Sequence, residues 1–349
     1  MNIQDLMLKF PHLPEQIFQK LDNESLFKCR EVATSWQDII DDRNYPWLRI
    51  VDIPTILNNG NTYLHRAART GQIETFRAAY NEENEKNIEN ENGQTSFHIA
   101  CKHGSFQIVQ FLLINTDSEI NFNARDNHCI DLNAKTKSGN TAFHLATRKG
   151  HLDVMKILME NAAAFSIDLN AKGPVGATAF SWACFDGQTD VVKIFMENAA
   201  TYGIDLNAKD YEGQTAFQYA RNLNVVQIFM QNTQALNIDL NAKSIYGWTA
   251  FHKACCMGRL DVVKSFMENA ATLNINLNLK MNGMNGKTPF HLACHNGRSD
   301  VVKIFLEKAA FLNIDLNIKA LRTQYDNMDY RQKSTSSLKK IEKLLNQKL

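Results

Sequence analysis

The sequence predicts an all-α protein: a short N-terminal helical segment at residues 1–50, a solenoid of about seven repeated helix pairs at 51–319, and a C-terminal capping helix at 320–349. Three observations predict it. The phrase Asp-Leu-Asn-Ala-Lys returns at Asp131–Lys135, Asp168–Lys172, Asp205–Lys209 and Asp239–Lys243. Eight residues after the Asp of each, a Gly-x-Thr-Ala-Phe segment begins, at Gly139, Gly176, Gly213 and Gly247. Between that segment and the next phrase lie two apolar stretches at helical spacing, most of them parted by a Gly. A fixed period means one small unit built many times, each copy burying its apolar face on its neighbours.

In the N-terminal segment, apolar residues stand at Ile17, Phe18, Leu21, Leu26, Val32, Trp36, Ile39 and Ile40. Their helical spacing is broken by Asp22-Asn23-Glu24-Ser25, where Asp22 or Asn23 can cap a helix opening at Glu24. A piece of about 40 residues barely makes a core unaided, so it needs a partner or the first repeats.

Seven copies align on Gly60, Gly93, Gly139, Gly176, Gly213, Gly247 and Gly286. The Thr that follows (Thr62, Thr95, Thr141, Thr178, Thr215, Thr249, Thr288) suits a helix start, where its hydroxyl accepts an unpaired backbone N–H. Pro289 behind Thr288 fits the first turn. A short apolar helix is expected next, then a Gly in a left-handed turn (Gly71, Gly104, Gly150, Gly187, Gly258, Gly297). A second helix follows, with Val191, Val192, Ile194, Phe195 and Met196 as its buried side in one copy. Three irregularities stand out: a spacing of 46 between Gly93 and Gly139, a fifth copy without the inter-helix Gly, and two extra residues before Gly286. After Lys319 the pattern stops. Leu338, Ile341, Leu344 and Leu345 form an apolar stripe among Lys339, Lys340, Lys343 and Lys348, which suits a cap with a polar outer face.

Thr-Ala-Phe-His-x-Ala at Thr141–Ala146, with the Gly and second helix behind it, resembles the ankyrin repeat over roughly Ile53 to Lys319. The period here is 37, from Gly139 to Gly176 to Gly213. The ankyrin norm is about 33, so about one extra helical turn per unit is expected. The resemblance implies a non-catalytic protein that binds other proteins. It also implies that the recurring His65, His98, His144, His252 and His291 tie neighbouring turns together rather than ligate metal.

The N-terminal residues carry a second resemblance. Leu13-Pro14-Glu15, Ile17-Phe18, Leu21-Asp22, Ser25-Leu26, Cys29-Arg30, Val32 and Trp36 are similar to an F-box, with Trp47 as its closing aromatic. Leu13-Pro14 lies about one helical turn nearer to Ile17 than the family's Leu-Pro does, and Phe10-Pro11 competes as the opener. The F-box resemblance implies docking to a Skp-type adaptor, and through it a cullin scaffold. Leu13, Pro14, Ile17, Leu21, Leu26, Val32 and Trp36 would then face the adaptor or support the face that does. Leu26 and Val32 are equally candidates for internal core.

Composition narrows the classes. The chain has 349 residues, 44% apolar and 21% charged, with a net charge of +1, which gives no reason to expect nucleic acid as main partner. Met1–Phe10 carries Asp5 and Lys9, so it is not a secretion signal, and no stretch is long and apolar enough for a membrane span. Seven cysteines, an odd number, speak against a disulfide framework and for the cytosol or nucleus. No Gly-rich phosphate loop, Gly-x-Ser-x-Gly or His-Glu-x-x-His occurs, so neither an enzyme nor a cofactor is expected.

By the ankyrin resemblance, a target meets the turn tips and the residues just before the inter-helix Gly. Those positions are basic in the first three copies, Arg148 and Lys149 among them, and aromatic or apolar later. Phe185, Tyr211, Tyr246, Trp248 and Met257 form the expected anchor patch, beside the reading that some of them pack on adjacent turns. The whole reads as a substrate-recognition subunit of a Skp–cullin–F-box ubiquitin ligase. The rival is an ankyrin scaffold whose N-terminal helices merely cap the solenoid. A ligase-hijacking effector of a parasite or virus is a third reading.

Overall fold

The structure, a computed structural model, describes residues 58–82, 87–117, 130–282, 286–316, 318 and 336–346. Leu13, Pro14, Ile17, Leu21, Leu26, Val32 and Trp36 lie outside the described residues, and so does the rest of the expected F-box segment.

The described regular elements are helices, as the sequence predicts. Seven pairs follow one another: α1 Tyr63–Thr70 and α2 Ile73–Glu82; α3 Ser96–His103 and α4 Phe106–Asp117; α5 Ala142–Lys149 and α6 Leu152–Glu160; α7 Ala179–Asp186 and α8 Thr189–Tyr202; α9 Ala216–Tyr219 and α10 Leu223–Asn232; α11 Ala250–Met257 and α12 Leu260–Asn269; α13 Pro289–His295 and α14 Ser299–Lys308. First helices pack on first helices of the next copy and second helices on second, with α15 Ser336–Asn346 closing the stack on α13 and α14.

Six of the seven copies start on a reciprocal cap; copy four, with Ser181 at the His position, keeps only the Thr178 half. In copies two, three, six and seven the Thr hydroxyl accepts the N–H of the His three residues on, at 3.3–3.5 Å. The His Nδ1 in turn accepts the Thr backbone N–H, as between Thr95 and His98 at 3.2 Å. Two orphan donors of the helix start are thus met by one residue pair. The short first helix then turns through a left-handed Gly: Gly150 has φ 71°, and its N–H returns to the carbonyls of Ala146 and Thr147.

The core is a chain of phenylalanines. Phe143, Phe195, Phe180, Phe229, Phe217, Phe266, Phe251, Phe305 and Phe290 alternate between first and second helices. Each ring lies 4.9–5.9 Å from the next, centroid to centroid. All nine are essentially buried, each contributing about 2 kcal/mol by burial alone. The Phe of Thr-Ala-Phe and the Phe of the second helix recur in sequence because each fills the gap left by the other.

The Asp-Leu-Asn phrase has a separate job. Asn170 Nδ2 donates to the Gly203 carbonyl at 2.8 Å, and its Oδ1 accepts the Asp205 N–H at 2.8 Å. The same pair of bonds joins Asn133 to Ser166 and Asp168, Asn207 to Asn237 and Asp239, Asn241 to Asn274 and Asn276, and Asn278 to Asn313 and Asp315. Within each phrase the first side chain accepts the Asn N–H two residues on, as Asp205 does from Asn207 at 2.9 Å. The phrase is therefore an inter-copy splice, and its Leu (Leu132, Leu169, Leu206, Leu240, Leu277) is buried beside it.

The turns between copies project as fingers whose backbones also pair. Glu91 N–H donates to Asn59, Lys137 to Asn92, Tyr211 to Val175, Ile245 to Glu212 and Asn282 to Tyr246, all at 2.9–3.1 Å. The corresponding residue of copy four is Pro174, which has no N–H, so fingers three and four lack this bond. Gly247 shows why a Gly ends each finger: its φ is 78°, and an added Cβ would collide with the backbone of Met281 and Asn282.

One expectation needs correcting. The extra residues per unit lengthen the second helix by a full turn only in α8, which has 14 residues. In copies three and five to seven they form turns that end on a left-handed Ser166, Asn237, Asn274 or Asn313. The fifth copy loses a turn of its first helix: α9 has 4 residues, the chain leaves it at Ala220 with φ −58° and ψ 116°, and Asn222 opens α10 by accepting the Val225 N–H at 2.8 Å. In α15, Ile341 and Leu345 are buried and Leu344 half-buried, as a cap requires.

Candidate protein-recognition face

The recurring polar residues are spent on the scaffold. His65 Nε2 donates to the Gln94 carbonyl at 2.6 Å and His98 Nε2 to Ala134 at 2.9 Å. Because Nδ1 accepts the Thr N–H, both bonds require the neutral ring with its proton on Nε2. Burial accordingly holds these imidazoles low, and those of His144 and His252 down to about 4. Gln218 replaces the ring in copy five: its Oε1 accepts the Thr215 N–H, and its Nε2 donates to Ala242 and Trp248. Cys101, Cys184, Cys255 and Cys294 are buried at the small-residue position shared with Ala68 and Thr147, and burial pushes their thiols up. Among the described residues, no group of three or more His, Cys, Asp or Glu is placed to hold a metal ion.

Exposed apolar side chains gather on fingers four to six, with Ile114 on α4 and Phe311 after α14 lying apart from them. On the fingers, Val175, Tyr211, Ile245 and Tyr246 are 54–71% exposed. They occupy consecutive copies, four to six, where fingers two and three carry Glu91, Asn92, Lys137 and Ser138. The Tyr211 ring lies over Gly176, leaving no room for a Cβ there. Trp248 is half-buried, its ring 6.3 Å from that of His252, so it supports the finger more than it presents itself. Met257 ends α11 half exposed, with Arg259 Nη2 at 2.8 Å from its sulfur.

Phe185 belongs to a different cluster from the fingertips, one that the sequence reading missed. Its ring meets Trp182 at 5.6 Å and Tyr219 at 6.1 Å, both edge-on, and Arg221 lies over it at 3.4 Å. Arg148 covers Trp182 at 4.7 Å and pairs with Asp186 at 3.7 Å. Lys253 stands 5.0 Å over Tyr219 and donates to Gln214 Oε1. Burial pulls its ammonium down to about 8, against Asp210 and Glu212, which raise it. The Tyr219 hydroxyl donates to Asp210 Oδ2, and Asp210 Oδ1 takes the Glu212 and Gln214 N–H groups. That buried carboxylate joins the groove cluster to the finger carrying Tyr211. Trp182 and Tyr219 had a readable signal: between the recurring Phe-His and Ala, one position runs Arg66, Ile99, Leu145, Trp182, Tyr219, Lys253, Leu292. That position is buried in copies two and seven (Ile99, Leu292) and partly exposed in the others.

Lys149 is exposed, and Arg148 is 41% exposed by side chain. Both end α5, beside the basic ends of α1 and α3 (Arg69, Lys102, His103).

A family model for ankyrin repeats (three copies) matches residues 46–126, 126–210, 199–280 and 222–320. The chain therefore belongs to the ankyrin-repeat proteins, a class that works by binding other proteins. Among 524 matching chains of solved structures is the ankyrin repeat domain of Bcl-3, described as a unique member of the IkappaB protein family. It superposes with a TM-score of 0.55 at 24% identity over 70% of this chain and 100% of that one, a likeness of fold. No curated protein sequence matches the chain. No helix among the described residues is long and apolar enough to cross a membrane.

Proposed function

We propose that this chain is the non-catalytic target-recognition subunit of a Skp–cullin–F-box ubiquitin ligase. The ankyrin array would hold the target, and the segment from Leu13 to Trp36 would dock the Skp-type adaptor. One observation carries the target-binding half: Tyr211, Ile245 and Tyr246 stand more than half exposed on adjacent fingers. Apolar side chains at the most solvated positions of a fold are anchors for a partner. Met257, Phe185, Arg148 and Lys149 flank that row in this reading, and Trp248 buttresses it. The docking half is supported by the spacing from Ile17 to Trp36.

A pull-down with purified Skp-type adaptor separates this from an ankyrin scaffold outside the ligase. The full chain is expected to retain the adaptor, and Leu21→Asp with Trp36→Ala to lose it; a wild type that does not bind sinks the ligase reading. Tyr211→Ser with Tyr246→Ser is expected to keep both the adaptor and the melting temperature while losing the target.

A further inference from the structure

The first three copies end their first helix on cations, and copies four and six do not. Arg69, Lys102 with His103, and Arg148 with Lys149 close α1, α3 and α5. The matching residues of α7 and α11 are Phe185-Asp186 and Cys256-Met257, and those helices cap on Gly187 and Gly258 in the same way. Helix-dipole compensation therefore does not require the cations. Arg69, His103, Arg148 and Lys149 are all exposed. The field they make is unbalanced: burial and then Lys102, Arg69, His151 and Lys149, all pushing the same way, hold the His103 imidazole below its ordinary value. Among the described residues, the carboxylate paired with the patch is Asp186, on Arg148 at 3.7 Å, at the edge next to Phe185 and Trp182.

We infer that an acidic polypeptide segment of the target lies along the ends of α1, α3 and α5, and that an apolar residue next to the acidic run seats against Trp182 and Phe185. The inference rests on the target-binding half of the proposed function and adds the chemistry of what is bound. Carboxylates spaced along an extended chain can reach three successive helix ends. The Arg148 guanidinium, with Asp186 on one edge, has donors left for a second carboxylate. A polypeptide fits better than a nucleic acid, because the strip passes from cations to aromatic carbon and then meets Asp186, which a continuing phosphate backbone would not tolerate. The chain's net charge of +1 is likewise no polyanion binder's.

The test is selection of phage-displayed random dodecapeptides on the full chain, with binding of the selected peptides measured by fluorescence anisotropy. Peptides with a run of Asp or Glu adjoining Leu, Phe or Trp are expected to dominate. Their affinity should fall about tenfold in Arg69→Glu with Lys149→Glu, and again on raising salt from 50 to 500 mM, since both remove Coulomb attraction at exposed sites. Phe185→Ser should weaken binding without changing the salt dependence. Selected peptides that ignore the charge reversal but are lost in Tyr211→Ser with Tyr246→Ser would overturn this inference and leave target recognition standing. Absence of any selectable peptide would count against both. Equal binding of a 20-base-pair DNA duplex, abolished by the same reversal, would also overturn it, marking a general anion surface.

Discussion

His144 shows how one side chain does two jobs that a charged group could not. Its Nδ1 accepts the N–H of Thr141, which opens α5, and its Nε2 donates to Ala177 in the next copy, at 3.4 Å each. Protonation would turn the acceptor into a donor and break the cap. The ring's folded value of about 4 lies below the ordinary 6.5, so the unfolded chain binds more protons between those limits. Stability from the His residues is accordingly complete above pH 6.5 and is lost as pH falls towards 4. Copy five supplies the control, because Gln218 makes both bonds and does not titrate. The melting temperature of the wild type is expected to drop steeply from pH 7 to pH 5. In His144→Gln with His252→Gln the drop should be shallower, with little change at pH 7. Equal slopes would place the acid sensitivity elsewhere.

Among elements, the Asp-Leu-Asn phrase was visible as a recurrence long before its purpose was. Its spacing marked it as a repeat feature, but nothing in the chain said that Asn207 Oδ1 would meet Asp239, 32 residues on, at 3.1 Å. That bond depends on the distance between stacked copies, which packing sets. Asn207→Ala removes two inter-copy bonds at a partly solvated site and should cost about 1–2 kcal/mol in urea denaturation. Asn207→Asp keeps the acceptor and should cost less. First helices were legible because Thr, a small-residue position and Gly are local signals with local causes. The groove was not. Arg221 covers Phe185 only because α9 stops at Tyr219 and the chain departs early from the helix, a consequence of the missing inter-helix Gly. The sequence marks the irregularity, but the geometry it releases depends on how neighbouring copies stack. The fingertip residues were legible, since Tyr211 and Tyr246 are apolar at turn positions where a polar residue suffices.

Across the molecule, the phenylalanine chain from Phe143 to Phe290 couples five copies through one apolar seam. Repeat arrays stand on the strength of neighbour contacts, so a break in the middle divides the whole. Phe217 sits between Phe229 at 4.9 Å and Phe266 at 5.6 Å. Phe217→Ala should cost about 3–5 kcal/mol and split a single urea transition into two, read by circular dichroism and tryptophan emission. A uniform shift of one transition would mean that the asparagine and finger bonds suffice to keep the array together. The same geometry separates support from recognition: seam and splices lie inside or between copies, while Trp182, Tyr219 and the tips of fingers four to six reach the surface.

Any copy from the third onward presents an asparagine to the copy after it and an amide to the copy before. Gain or loss of a whole unit leaves every splice made, whereas loss of half a unit strands a donor and an acceptor. Such a protein can be rewritten in whole words, and each word brings its own outward letters. A new target can then be met by reordering units, without redesigning the interior.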